Sequence, residues 1–461
     1  MYLAQYYLDC LSQASYMVGD EQSGQAVVVD PRRDIEEYLT DAEAHGFTIV
    51  GVINTHFHAD FVSGHLELAK ATGAWIGYGK AAKADFEIRS LSDGERIELG
   101  DVVLEIMETP GHTPESISVL TYEHASDTSP YAVFTGDALF IGDVGRPDLL
   151  ASIGVTADEL GKMLYNSIQK KLMGLPDETK VFPAHGAGSA CGKNLSTETQ
   201  STIGEQRRTN YACQPMTEEQ FVAVVTAGQP PAPEYFLYNA VLNRQERGTR
   251  EVGATLPALS PEQVSEALAR GAKVIDARDQ HDFAAGHLKG AINVGVDGRM
   301  AETVGMVVKP EDEVLLMAPE GEEQEAAIRL VRIGYDNAVG FVPRPEAYMI
   351  DHCLEEQVVH ASRLTPVQLD EHLAKNDVQL VDVRNAGETE AGVIPGSVNI
   401  PLAQLARRVG ELDPEKPTVV YCLGGWRSSV GASLLSHLGF KDVSDVVGGY
   451  AGWETTQAAH A

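Results

Sequence analysis

The sequence predicts an α/β protein: a larger N-terminal domain followed by two smaller, mutually related α/β modules. Three observations predict it. Through roughly the first 250 residues, short β-rich runs alternate with turns and helical stretches. The remaining half repeats itself at an offset near 105 residues. Finally, 461 residues exceed what one ordinary core organises, so about three domains are expected.

Ala26 to Pro31 (AVVVDP) reads as a strand ended by a proline, and Phe47 to Ile53 (FTIVGVI) as a buried strand. Between them Asp34 to Gly46 has the pattern of an amphipathic helix, with Gly46 placed to terminate it. Tyr131 to Phe134 and Val181-Phe182 are further short strands, each running into polar motif residues. Gly228 to Pro233 is a Gln/Pro-rich turn or linker, and the polar, Gly/Pro-punctuated stretch Gly248 to Pro257 marks a domain boundary. Beyond it Val274-Ile275-Asp276-Ala277-Arg278 matches Leu380-Val381-Asp382-Val383-Arg384. Gly290-Ala291-Ile292-Asn293-Val294 likewise matches Gly396-Ser397-Val398-Asn399-Ile400. The expected domains are therefore 1–250, 256–355 and 360–461.

Composition narrows the partners. Lys and Arg total 35 against 67 Asp and Glu, a net charge of −32, which repels nucleic acid and anionic membranes. No apolar run approaches the roughly 20 residues of a spanning helix, and no basic segment precedes an apolar stretch at the N-terminus. Five widely spaced cysteines argue against a disulfide framework and for a reducing compartment, so a cytoplasmic location is expected.

The strongest chemical signal is Thr55-His56-Phe57-His58-Ala59-Asp60-Phe61, directly after a β-run. A strand ending in a tight loop can point two imidazoles and a carboxylate into one cavity, as a metal requires. Further candidates sit at later strand ends: His112 in Pro110-Gly111-His112-Thr113, Asp137 in Thr135-Gly136-Asp137, and His185 in Pro183-Ala184-His185-Gly186. One such His alone is more often a hydrogen-bonded structural residue; the ordered set points to a metal site.

These motifs resemble the metallo-β-lactamase superfamily over roughly residues 1–250. Within it, Pro110 to Ser116 and Thr135 to Asp148 look most like the persulfide dioxygenases. The resemblance implies an αββα sandwich and one ferrous ion, a mononuclear Fe(II) site held by His56, His112 and Asp137. His58, Asp60 and His185 then stand behind the ligands, orienting them or water, or are simply retained scaffold. Hydrolytic relatives carry a second His after the Asp of the first motif, where this chain has Phe61, which cannot coordinate. Arg146 and Asp148 fall where the family places groups near the thiol cosubstrate, and an Arg suits a carboxylate of glutathione. Cys191, on the Gly-rich loop after His185, is read as a structural thiol or as one that handles sulfane sulfur at the site mouth.

In the last module Val419-Val420-Tyr421 is a strand running into Cys422-Leu423-Gly424-Gly425-Trp426-Arg427-Ser428 and then a helical stretch. Backbone N–H groups, a helix N-terminus and Arg427 all favour the thiolate of Cys422. With Asp382 to Arg384 upstream and Gly448-Gly449-Tyr450 downstream, the segment resembles rhodanese. The resemblance makes Cys422 and Arg427 catalytic and places Gly424, Gly425, Trp426 and Ser428 around the substrate. The middle module has Met317 opposite Cys422 and Glu322 opposite Arg427 by gapless alignment, so it is expected to be an inactive rhodanese-like domain, a spacer or docking surface.

The fold class implied is thus a metallo-β-lactamase αββα sandwich followed by two rhodanese-like doubly wound α/β domains. The resemblance implies that a small-molecule thiol persulfide reacts with O₂ to give sulfite, with thiosulfate made or consumed through Cys422. The rival is a zinc-dependent thioester hydrolase of the glyoxalase II type with an accessory sulfurtransferase. Glutathione, coenzyme A and bacillithiol persulfides all fit, and the inactive module leaves a surface open to a homo-oligomer.

Overall fold

The computed structural model describes residues 1–149, 154–229, 232–375 and 377–460; Pro230 and Pro231 of the expected linker lie outside the described residues. The chain forms two compact units, Met1–Ala232 with Phe236–Ala254, and Pro233–Tyr235 with Thr255–Ala461. The division at Ala254 falls inside the Gly248 to Pro257 stretch.

In the first unit, among the described residues, β1 (Tyr2–Leu8), β2 (Gln13–Asp20), β3 (Gln25–Val29), β4 (Thr48–Ile53), β5 (Trp75–Gly79) and β6 (Arg89–Leu91) form one sheet in that order. A second sheet holds β7 (Arg96–Glu98), β8 (Val103–Glu108), β9 (Ile117–Tyr122), β10 (Ala132–Gly136), β11 (Lys180–Pro183) and β12 (Ser201–Thr202). The helix Glu36–His45 crosses between β3 and β4 and ends, as expected, on Gly46 in the left-handed conformation.

The layering follows from period-two burial along each strand. Val27 and Val29 face the second sheet together with Tyr16 and Val18, meeting Leu104, Val119 and Phe134. Their neighbours Ala26 and Val28 face outward and pack on Ile35, Tyr38 and Leu68 from the covering helices. On the far side Val103, Leu120, Val133 and Val181 meet Leu164, Ile168, Phe221 and Val225. Each fully buried Val, Leu or Phe contributes about 1.5–3 kcal/mol of transfer free energy. The result is the αββα sandwich, with the motif loops at the C-terminal ends of β4, β8, β10 and β11.

The second unit contains the repeat. Its first module places β13 (Lys273–Asp276), β15 (Ile292–Asn293), β16 (Val314–Met317) and β17 (Ala338–Val342) in a parallel sheet of order β15-β13-β16-β17, while β14 (His287–Leu288) pairs with β18 (Val358–Val359). Its second module places β19 (Ser362–Leu364), β20 (Gln379–Asp382), β21 (Val398–Asn399), β22 (Thr418–Tyr421) and β23 (Val443–Val446) in the order β19-β23-β22-β20-β21. The repetition extends to single atoms. Arg278 forks Asp276 and Arg384 forks Asp382, each with a 2.6 Å bond, and both arginines are buried. Asn293 and Asn399 donate to the carbonyls of residues 276 and 278, and of 382 and 384, respectively.

The ladders correct one pairing drawn from the sequence. Asp276 lies opposite Met317 and Asp382 opposite Tyr421, so the counterpart of Cys422 is Ala318 and not Met317. The gapless alignment holds at the end of the following helices, where Tyr335 donates to Leu330 and Phe440 to Leu435. It slips by one at the strands because the middle loop is one residue shorter. Ala318 is no more nucleophilic than Met317, so the inference drawn from the pairing stands.

Asp382→Ala leaves the buried Arg384 charge without its fork. It is expected to lower unfolding free energy by about 3–5 kcal/mol in a urea titration.

Candidate metal centre and persulfide loop

The β4 strand delivers its loop under the control of one carboxylate. Asp30, buried at the end of β3 with a positive φ of 52°, accepts from the Thr55 N–H (2.7 Å), the Thr55 hydroxyl (2.8 Å) and His58 Nε2 (2.8 Å). The Thr55 hydroxyl, having donated, accepts from His56 Nδ1 at 3.0 Å, which leaves His56 Nε2 as a bare lone pair. His112 is fixed in the same way: its Nδ1–H donates to the Arg146 carbonyl at 3.0 Å, freeing Nε2. Asp137 follows β10 through Gly136, whose φ of +53° and close approach to Thr55 exclude a side chain.

His56, His112 and Asp137 converge, with one ligand atom from each lying within 4.8 Å of the others. Asp137 Oδ2 stands 3.8 Å from His56 Nε2 and 3.5 Å from His112 Nε2. His56 Nε2 and Asp137 Oδ2 are buried without any hydrogen-bond partner. Two buried acceptors aimed at one point repel each other unless a cation lies between them, so the residues fit a metal. Burial and the neighbouring His58 push the His56 pKa well below the usual imidazole range, and burial lowers that of His112, so both keep ligating lone pairs. Burial alone would raise Asp137, but His185 and His56 outweigh it and hold its carboxyl far below the usual range.

The other sequence-predicted residues lie around this group. His185 bridges two carboxylates, its Nδ1 2.7 Å from Asp137 and its Nε2 2.7 Å from Asp60. Burial opposes its protonation, but those two carboxylates raise its pKa well above the ordinary value. With both ring nitrogens engaged by carboxylates, it turns no free nitrogen toward a second ion. Cys191 is buried with its sulfur within 4.8 Å of ligand atoms of Asp60 and His185; burial, then Asp137 and Asp60, pushes its thiol well up. Phe61 is buried against the His58 ring at 4.3 Å. Arg146 is only 2% exposed, and its guanidinium takes Asp148 at 2.8 and 2.7 Å and the Ala190 carbonyl at 3.2 Å. Its N–H donates to the Cys191 carbonyl at 3.0 Å. The Arg146–Asp148 pair therefore pins the Cys191 loop, and an incoming carboxylate would have to displace Asp148.

In the second unit Cys422 directly follows β22, 2% exposed, with its sulfur accepting from the Gly425 N–H at 3.1 Å. The helix Trp426–His437 begins at the next residue, its N-terminus at the sulfur. Ser428 donates to the Gly425 carbonyl (3.0 Å) and lies 3.2 Å from Asp445, which Arg363 forks. Gly424 is exposed at the rim and Trp426 is half-buried. Arg427 is held in a two-point fork by Glu388, at 2.7 and 2.6 Å. The middle module braces the same helix, as Asn293 Oδ1 accepts from Ser429 (2.7 Å) and its N–H donates to Ser433 (3.0 Å). Among the described residues no helix is long and apolar enough to cross a membrane.

Sequence reasoning missed Asp30, Asn243 and Glu388. Asn243 donates to the carbonyls of His58 (2.9 Å) and Phe61 (2.8 Å), clamping the motif loop from far along the chain. Glu388 had a usable signal: an acid stands four residues after the Asp-x-Arg arginine in both repeats, as Asp282 and Glu388.

Thr55→Val cuts the relay from Asp30 to His56 without changing side-chain volume much. It is expected to lower metal affinity about 10–100-fold in chelator competition, with unchanged circular dichroism.

The family model "Metallo-beta-lactamase superfamily" matches residues 8–185, and "Rhodanese-like domain" matches 260–343 and 365–456. The mitochondrial persulfide dioxygenase ETHE1 of Homo sapiens is 30% identical over 226 residues, 48% of this chain and 78% of that protein. The hydroxyacylglutathione hydrolase of a Polaromonas species is 32% identical over 177 residues, 37% of this chain and 61% of that protein. A crystal structure of a metallo-beta-lactamase from Staphylococcus aureus superposes with a TM-score of 0.67 at 31% identity, covering 74% of this chain and 99% of that one. With its lone-pair cluster at the strand ends and its duplicated C-terminal modules, the chain belongs to the metallo-β-lactamase superfamily, in a form whose N-terminal domain is homologous to the persulfide dioxygenase ETHE1 and is followed by rhodanese-like domains.

Proposed function

We propose that the chain is a non-haem iron persulfide dioxygenase coupled to a rhodanese sulfurtransferase, acting in the cytoplasm on a low-molecular-weight thiol persulfide such as glutathione persulfide. The observation that carries this reading is the donor set: two neutral imidazoles and one carboxylate, with a second ion disfavoured because His185 is bonded at both nitrogens and Phe61 replaces a ligand. Ferrous iron bound by His56, His112 and Asp137 would supply the redox chemistry that joins O₂ to the terminal sulfur. The overall reaction balances as R-S-SH + O₂ + H₂O giving R-SH and sulfite with two protons.

The protein's own groups do the holding. Thr55 and the Arg146 carbonyl fix the two imidazole tautomers, while His185, bonded to Asp60, holds the second oxygen of Asp137 in place. Asp148 and Arg146 set the Cys191 loop, and Cys191 lies close enough to this cluster to meet a substrate sulfur. At the other site the Cys422 thiolate attacks the outer sulfur of thiosulfate, the S–S bond breaks with its electron pair on sulfite, and a cysteine persulfide forms. The Gly425 N–H and the helix N-terminus stabilise negative charge on that sulfur, and the reverse step makes thiosulfate. Glu388 keeps Arg427 oriented at the loop. The middle module, with Ala318 in place of the loop cysteine, serves as the brace of the active helix.

Metal analysis joined to oxygen uptake with glutathione persulfide tests the reading. About one iron per chain and stoichiometric O₂ consumption are expected, with Cys422→Ser keeping oxygen uptake while losing thiosulfate sulfurtransferase turnover at least about a thousandfold. Zinc in the site, no O₂ consumption and hydrolysis of S-lactoylglutathione would replace it with the thioester hydrolase. Cys191→Ser is expected to slow persulfide turnover while metal content stays constant; unchanged turnover assigns Cys191 a packing role.

A further inference from the structure

Three arginines stand around the Cys422 loop, and each ends on a carboxylate of its own. Arg384 forks Asp382, with bonds of 3.0 and 2.6 Å. Arg363, which a methyl group on Gly425 would meet at 3.7 Å, forks Asp445 at 2.8 and 3.0 Å. Arg427, the one arginine within the loop itself, gives both terminal nitrogens to Glu388, at 2.7 and 2.6 Å. Those two N–H groups are the ones that a forked oxyanion would take.

Glu388 is anchored independently of Arg427. Asn385 caps the short helix Ala386–Thr389, and Glu388 Oε2 accepts from the Asn385 N–H in return, at 3.0 Å. Burial would raise the Glu388 pKa, but Arg427 outweighs it and holds the carboxyl below its ordinary value, so the pair stays charged at neutral pH. The exposed side chains of the loop add no charge. Leu423, adjacent to the thiol, is 48% exposed, and Trp426 is half-buried.

We propose that Glu388 is a specificity-determining residue of this module, which by occupying Arg427 selects sulfur donors that carry no anionic group beside the sulfane sulfur. The inference rests on the sulfurtransferase reading of Cys422 and names the donor class of that site: persulfides whose carrier is uncharged next to its sulfur. In the favoured step the Cys422 thiolate attacks the terminal sulfur of R-S-SH. The S–S bond breaks with its electron pair on R-S⁻, and Cys422 becomes the cysteine persulfide. Thiosulfate brings an additional charge on its sulfonate oxygens, and these meet the Glu388 carboxylate unless the fork on Arg427 opens. An uncharged carrier meets the apolar Leu423 and Trp426 and leaves the fork closed.

Loading of Cys422 in the full chain by 2-hydroxyethyl persulfide and by 2-sulfoethyl persulfide tests this, since the two donors differ in the charge placed beside the sulfur. The second-order rate of Cys422 persulfide formation is followed by peptide mass spectrometry without oxygen. The hydroxyethyl donor is expected to load Cys422 at least about tenfold faster. Glu388→Gln is expected to shrink that ratio at least about fivefold by speeding the sulfonate donor, whereas loss of a merely structural contact would slow both donors alike. Should Glu388→Gln not fold, the ratio in the unmodified protein decides alone. Equal loading by the two donors, or an unchanged ratio in a folded Glu388→Gln variant, overturns the assignment and leaves the sulfurtransferase reading standing. Loading by neither donor overturns both.

Discussion

Three hydrogen bonds converge on the carboxylate of Asp30, and the loop carrying His56, His58 and Asp60 takes its shape from them. A buried carboxylate is costly to hold unless its lone pairs are engaged, and charge-assisted bonds of this kind contribute about 1.5–3 kcal/mol each. The same three bonds that stabilise Asp30 choose the tautomer of His56, turn His58 away from the ligand cluster and seat Thr55 against Gly136. The position of Asp137 depends in turn on that contact. One acceptor at a strand end thus sets the orientation of groups on β4 and β10 together.

The sequence made this architecture legible wherever the signal was local. Val27 and Val29 alternate with Ala26 and Val28, and that alternation is the layering of the sandwich. Strand runs ending in His112, Asp137 and His185 announced where the polar loops gather. What stayed hidden was pairing at long range. Asp30 reads as the end of a strand, and its partners stand 25 and 28 residues away. Asn243 lies beyond a helix and a linker from the carbonyls it clamps. Arg146 reads as an available cation because a spacing of two does not show that Asp148 folds back onto it. The one-residue slip at Met317 has the same origin: an alignment without gaps cannot register a loop shortened by one residue.

The two C-terminal modules show which parts of a fold can change independently. Both keep the Asp-x-Arg fork and the asparagine beneath it, because breaking a buried ion pair leaves a charge stranded. Only one keeps the thiol and its loop. The middle module has Ala318 in the thiol's place without losing its sheet, so its backbone is sustained by the fork and the strand ladders.

The contact of Asn293 with Ser429 and Ser433 has a consequence for anyone recombining such proteins. The last module resembles a self-sufficient sulfurtransferase, yet the outer face of its active helix is finished by the edge strand of its neighbour. Grafted alone onto another enzyme, it would expose Ser429, Ser433 and a bare helix flank beside the reactive thiol. The transferable part is the pair, and the module without chemistry has to travel with the one that has it.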